Sequence, residues 1–279
     1  MLEAGILGEI RRDCERRGLL PSTIQKRQYQ AKIWGRWLGD RSPWEATRDD
    51  VNVFLDSRGL CARSRYAWLA GLHMFYQWAI EAGYASDDPT ATIARPRLRR
   101  LLPRPVPTRD LVTALSCAAP VMRAWLELAA FQGLRCQEIA GLRHEDVLTA
   151  DGLLRIVHAK GGHERLVPLH PRVAATLAAL PRHKSGWVFE RVGGGKFTPN
   201  YISVLVADYL RSVGVDATAH QLRHWFGSAL YQRTHDLRLV QEMMGHATPQ
   251  STAIYTAFDR QEARNGIAAL RIDEPLDAA

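Results

Sequence analysis

Apolar side chains return every three or four positions through the first third of the chain, the period of helices with one buried face. The spacing predicts a helix over 2–17 that ends near Gly18. A second is expected over 23–38, with Ser22 as its N-cap and Tyr29, Ile33, Trp34 and Trp37 turned inward. Thr47 is the expected cap of a third, in which Val51, Phe54 and Leu55 face the core and Gly59 lies beyond the end. A fourth, over 64–82, carries Tyr66, Leu69, His73, Tyr76 and Ile80 on one face and stops at Gly83. Consecutive amphipathic helices of this kind make a small bundle.

The pattern breaks between Arg95 and Pro107, where four prolines and five arginines stand without a single acid. Proline blocks helix propagation and stiffens an extended chain, so 95–107 reads as a basic linker. It divides a helical domain at 1–94 from a second domain at 108–271, with a tail at 272–279. The second domain alternates helical and strand periods. Helices are expected from a cap at Thr108 through Ala118, over 121–132, 136–142, 173–180, 200–213, 219–234 and 237–244. Thr248 and Pro249 open a further one, and a last helix covers 260–270. Between them, 153–169 reads as a β-hairpin whose turn is Lys160-Gly161-Gly162-His163. The fold class is mainly α with a small β-hairpin.

Composition narrows the partners. The 279 residues carry a formal charge of +8 with a pI near 9.6, which favours a polyanion such as nucleic acid. Arginine outnumbers lysine, and its planar fork suits phosphate. The four cysteines are widely separated, which points away from a disulfide framework or a zinc site. No apolar run has membrane-spanning length and the first ten residues lack a signal peptide's order, so a soluble protein of a reducing cytosol is expected.

Taken singly, the polar residues of the second domain are ordinary. Gly133-Leu134-Arg135 followed by Glu138 is a helix-breaking glycine with an ion pair; Lys160 is a turn lysine; His220 and Arg223 share a helical face; Gly245-His246 follows a helix end; Tyr255 sits on a short helix. Gly193-Gly194-Gly195-Lys196 lacks the spacing of a phosphate-binding loop, and the histidines at 144, 158, 163, 170 and 183 show no zinc spacing.

In order and spacing together, Gly133-Leu134-Arg135-Cys136-Gln137-Glu138, Lys160, His220-Gln221-Leu222-Arg223-His224, Gly245-His246 and Thr252-Ala253-Ile254-Tyr255-Thr256 resemble the tyrosine recombinase family, which includes phage integrases and Xer proteins. The resemblance covers nearly the whole chain. It implies a helical core-binding domain, with Asp87-Asp88-Pro89-Thr90 near its end, and an α+β catalytic domain. It implies that Arg135, Lys160, His220, Arg223, His246 and Tyr255 fill the six active-site positions, with Glu138 supporting the first arginine.

The chemistry agrees with that assignment. Arg135 and Arg223 would neutralise the charge that builds on an attacked phosphodiester. His220 would accept or share the proton of Tyr255, whose hydroxyl is a weak nucleophile with a pKa of about 10. Lys160 would deliver a proton to the leaving 5′ oxygen, and His246 would donate to the phosphate. The phosphotyrosine conserves the bond energy, so neither metal, ATP nor another cofactor is expected. The family clamps duplex DNA and acts as a homotetramer on paired recombination sites. Lys26, Arg27, Arg63 and Arg65 are the candidate DNA contacts of the helical domain, and 259–270 is the segment expected to dock on a neighbouring subunit. The chain starts almost directly with the helical domain, so a small form without an arm-binding module is expected, with simple sites and limited need for accessory DNA-bending or directionality proteins. Tyr255-Thr256-Ala257-Phe258 favours integration or excision of a phage or mobile element; Xer-type dimer resolution is the alternative. Two rivals of other kinds are a type IB topoisomerase and a non-catalytic DNA-binding regulator.

Overall fold

In the computed structural model, residues 4–98, 104–157 and 164–245 are described. The chain divides into two units, at 1–100 and 101–279.

The first unit is all helical: α1 (Ala4–Arg16), α2 (Pro21–Leu38), α3 (Arg48–Asp56) and α4 (Ala62–Glu81). Thr47 caps α3 reciprocally, its hydroxyl accepting from the Asp50 N–H at 3.3 Å while the Asp50 carboxylate accepts from the Thr47 N–H at 2.9 Å. Ser22 is not the cap of α2. Pro21 already occupies the first turn, because a residue without an N–H sacrifices nothing there, and Leu20 takes the cap position without a side-chain bond. The core is aromatic. Trp34 is fully buried, stacks on Trp37 at 5.3 Å and meets the edge of Phe54 at 5.0 Å. Its indole N–H donates to the Tyr76 hydroxyl at 2.8 Å, which donates to the Pro43 carbonyl at 2.9 Å. Two expected core positions fail. Tyr29 is 56% exposed, since α2 buries Ile24, Gln30, Ala31, Trp34 and Leu38, and Ile80 is 36% exposed, since α4 buries Trp68, Leu69, Leu72, Phe75, Tyr76 and Ala79, faces rotated away from each.

The second unit runs α5 (Thr108–Cys117), α6 (Pro120–Phe131), α7 (Cys136–Ala140), β1 (Val147–Leu148), β2 (Leu153–Ile156), β3 (Arg165–Pro168), α8 (Pro171–Ala178), α9 (Pro199–Ser212), α10 (Ala219–Thr234) and α11 (Leu237–Met244). Thr108 is the first helical residue of α5 and not its cap, which is Pro107. The strands form an antiparallel sheet in the order β1-β2-β3, with Leu154 opposite Val167 and both buried. The hairpin thus gains a third strand, β1, too short to leave a period in the sequence. α6 is buried nearly all round through Ala124, Trp125, Leu126, Leu128, Ala129 and Ala130, and packs against α8, α9 and α10. The expected helices after Thr248 and over 260–270, the tail at 272–279 and the hairpin turn at 160–163 lie outside the described residues.

Candidate active site

The end of α6 is shaped by Gly133, which takes φ +61° and leaves no room for a Cβ, since one would lie 2.4 Å from the Phe226 ring. The turn delivers Arg135 to the position just before α7. There the Glu138 carboxylate accepts the Arg135 backbone N–H at 2.9 Å and its Nη1 at 3.0 Å. The same guanidinium donates to the carbonyls of Met244 at 3.3 Å and Gly245 at 3.1 Å, at the end of α11. A residue at the start of one helix thereby meets the end of another more than a hundred positions on.

Glu138 is the centre of the arrangement, with a side chain that is wholly buried. Arg165, the first residue of β3, grips both carboxylate oxygens in a fork at 3.0 and 3.1 Å. Arg223, on α10, places Nη1 3.8 Å from the carboxylate and is itself only 2% exposed. Its guanidinium donates to the carbonyls of Gly133 and Met244. Burial would push the Glu138 carboxyl up, but the Arg165 fork, the Arg135 N–H and the Arg223 charge outweigh it and hold the pKa below the usual range. Removing one partner of such a buried pair costs about 3–5 kcal/mol.

His220 and His224 lie one turn apart on α10, their rings 4.3 Å apart and edge-on. Loss of solvation, with Arg223 and Arg135 nearby, lowers the His220 pKa, although the residue as a whole remains exposed. His224 is pushed down to about 4, first by burial and then by His220 and Arg223. Both imidazoles are therefore neutral near pH 7, and a neutral imidazole carries one ring nitrogen able to accept a proton.

Of the residues expected from sequence, the fold brings Arg135, Glu138, His220 and Arg223 into one neighbourhood. Lys160, His246 and Tyr255 lie outside the described residues. Lys160 belongs to the segment joining β2 to β3, and His246 directly follows Gly245. In the first unit, Lys26 and Arg63 are exposed. Arg65 is paired with Asp56 at 2.5 Å. Arg27 is half-buried, donates to Gln30 at 3.1 Å and lines a small cavity with Ile10, Cys14 and Phe75. Among the described residues no group of three His, Cys, Asp or Glu side chains is placed to hold a metal, and no helix is long and apolar enough to cross a membrane. Sequence reasoning missed Arg165. Its partners stand 27 and 78 positions away, and nothing local separates it from a solvated strand arginine.

A neutral histidine beside two guanidiniums, gathered on a buried carboxylate, is a site built for an oxyanion. Comparison with known proteins gives the family and the fold. The phage integrase family pattern matches residues 108–262. XerC, a tyrosine recombinase of Chromobacterium violaceum, is 31% identical over 260 residues, covering 88% of this chain and 87% of its own. XerD of Caulobacter vibrioides is 32% identical over 224 residues, covering 72% and 73%. Among solved structures, a lambda integrase dimer bound to a COC′ core site superposes with a TM-score of 0.72 at 18% identity, covering 91% of this chain and 95% of that one. XerH bound to palindromic difH in a post-cleavage complex gives 0.69 at 22%, covering 94% and 84%. These two show a shared fold. The chain belongs to the phage integrase family and is a tyrosine site-specific recombinase, an enzyme that cleaves and rejoins DNA.

Proposed function

We propose that this recombinase attacks a DNA phosphodiester with Tyr255, forms a 3′-phosphotyrosine, and reseals it with a 5′ hydroxyl from a second strand. The observation that carries the reading is the convergence of Arg135 and Arg223 on one buried carboxylate, which orients two cations for a single anion. In this account both guanidiniums bind the non-bridging oxygens. Neutral His220 takes or shares the tyrosine proton. Lys160 protonates the leaving oxygen and His246 donates to the phosphate. The 1–94 domain holds DNA, with Lys26 and Arg63 as exposed cations, 95–107 follows the backbone as a linker, and 108–271 carries the chemistry. Neither metal nor ATP enters the balance, because one phosphoester is exchanged for another.

Lambda integrase has been solved as a tetramer on a Holliday junction, and a homotetramer on paired duplex sites is the assembly we infer here, in the cytoplasm where such DNA lies. Integration and excision of a mobile element is the biological role we favour, from Tyr255-Thr256-Ala257-Phe258. Dimer resolution is the second reading, supported by the identity to XerC and XerD.

The test is covalent trapping. The protein is mixed with nicked genomic fragments in the presence of EDTA and run on a denaturing gel. A DNA-linked band that Tyr255→Phe abolishes is expected; its absence despite sequence-specific binding would favour a regulator. A trapped site within the chromosome or a plasmid and away from any mobile element supports dimer resolution, and one at a mobile-element boundary supports integration.

A further inference from the structure

Arg165 has no part in the chemistry just described, yet each nitrogen of its guanidinium meets a partner in the site. Nη1 and Nη2 grip the two oxygens of Glu138 at 3.0 and 3.1 Å, and Nε donates to the Met243 carbonyl at 3.1 Å. All three nitrogens are thus turned to protein, and only 12% of the side chain is exposed.

What it contacts is the informative part. Three successive carbonyls at the end of α11 each receive an arginine: Met243 from Arg165, Met244 from Arg135 and Arg223, and Gly245 from Arg135. Gly245 sits at φ +60°, and a Cβ there would lie 2.6 Å from Arg165 Nη1. The guanidinium therefore lies against the turn that leads directly into His246. It also begins β3, the strand that follows the segment containing Lys160. One residue thus opens the strand that follows the segment containing Lys160, and its side chain touches the carboxylate that orients Arg135 and the helix end that precedes His246.

We infer that Arg165 is a positioning residue for the cleavage step: it locks Glu138 and the end of α11 together, and so sets the direction of the Arg135 guanidinium. The inference rests on the reading of Arg135 and Arg223 as phosphate ligands. Lysine cannot replace it, because a point-charge ammonium cannot fork onto two oxygens while a third nitrogen reaches Met243.

The experiment uses the full chain and the nicked genomic fragment recovered by trapping, with single-turnover cleavage and gel-shift affinity measured on the same preparations. A lost fold lowers the amplitude, the fraction of molecules that can cleave. A misplaced guanidinium lowers the rate constant at full amplitude. Arg165→Ala and Arg165→Lys are expected to cleave about 100-fold more slowly with affinity within about threefold. The Arg165→Ala/Glu138→Ala pair is expected to be no slower than the slower single variant, because both act through one device. If Arg165→Ala fails to fold, Arg165→Lys, which keeps charge and stem, carries the measurement. Wild-type rates in Arg165→Lys, a loss confined to amplitude, or multiplying effects in the pair would each overturn the inference. Arg135→Ala separates the two layers: if it cleaves normally, the phosphate reading falls as well; if it is inactive while Arg165→Lys is normal, only the positioning role falls.

Discussion

The two units bury different chemistry. Among the described residues of the first, those buried whole and polar are Gln30 and Thr90, set in a core of tryptophan, tyrosine and phenylalanine. In the second, Glu127, Glu138, Asp146 and Arg223 are all buried. Burying charge is expensive, and the first unit does so mainly at Asp88, whose side chain is 4% exposed and pairs with His73. Within the second unit the contrast repeats between Glu127 and Glu138. Glu127 binds Arg172 at 2.6 Å and the Thr176 hydroxyl at 2.6 Å, one carboxylate to one guanidinium whose side chain is 49% exposed. Glu138 faces three guanidiniums, from Arg135, Arg165 and Arg223. The first carboxylate is neutralised and ties α6 to α8. The second leaves positive charge unbalanced, which is the condition for holding an anion.

The largest effect that would sharpen this contrast is at the unbalanced cluster. Arg135→Ala or Arg223→Ala should lower single-turnover DNA cleavage by about 100- to 1,000-fold, the loss usual when one donor to a developing anion is removed. Glu138→Ala comes next. It should lose cleavage together with about 3–5 kcal/mol of stability, read by denaturant melting, because three cations are left without their partner. Glu127→Ala should lose only about 1–2 kcal/mol and keep its cleavage rate, since Arg172 can turn to water. Equal cleavage losses in Glu127→Ala and Glu138→Ala would erase the distinction.

Smaller effects follow from proton linkage. The His224 pKa falls from 6.5 to about 4 on folding, so the unfolded chain binds a proton more readily between those values. Its contribution is intact above pH 6.5 and is lost as pH falls toward 4, on the order of 2–3 kcal/mol. The depressed carboxyl of Glu138 adds to the loss further into acid, as the pH drops through its folded value. Thermal melts across this range should fall steeply in the wild type and less in His224→Gln. Smallest of all, Lys26→Ala and Arg63→Ala should weaken DNA binding by less than about tenfold, and by less again as salt is raised.

Much of the fold was legible because it obeys local rules. Thr47 with Asp50 is a capping box within four residues, α10 and α11 keep the bounds that their periods set, and Leu153-Leu154-Arg155-Ile156 reads as a strand. Tyr29 was misjudged because a helical period marks a face without saying how wide the neighbour that covers it is. Strand β1 has two residues and no period at all. In the site, Arg135, Glu138, His220 and Arg223 were visible through their order and resemblance to a family. Arg165 was not, since its role exists only once β3, α7 and the end of α11 meet.

The central claim is that Tyr255 carries the DNA. The most direct measurement is tryptic digestion of the trapped adduct followed by mass spectrometry. Cleavage after Arg238 and Arg260 yields a peptide whose one tyrosine is Tyr255. The account predicts a nucleotide-phosphate mass on that residue. An adduct mapped to another residue would contradict it.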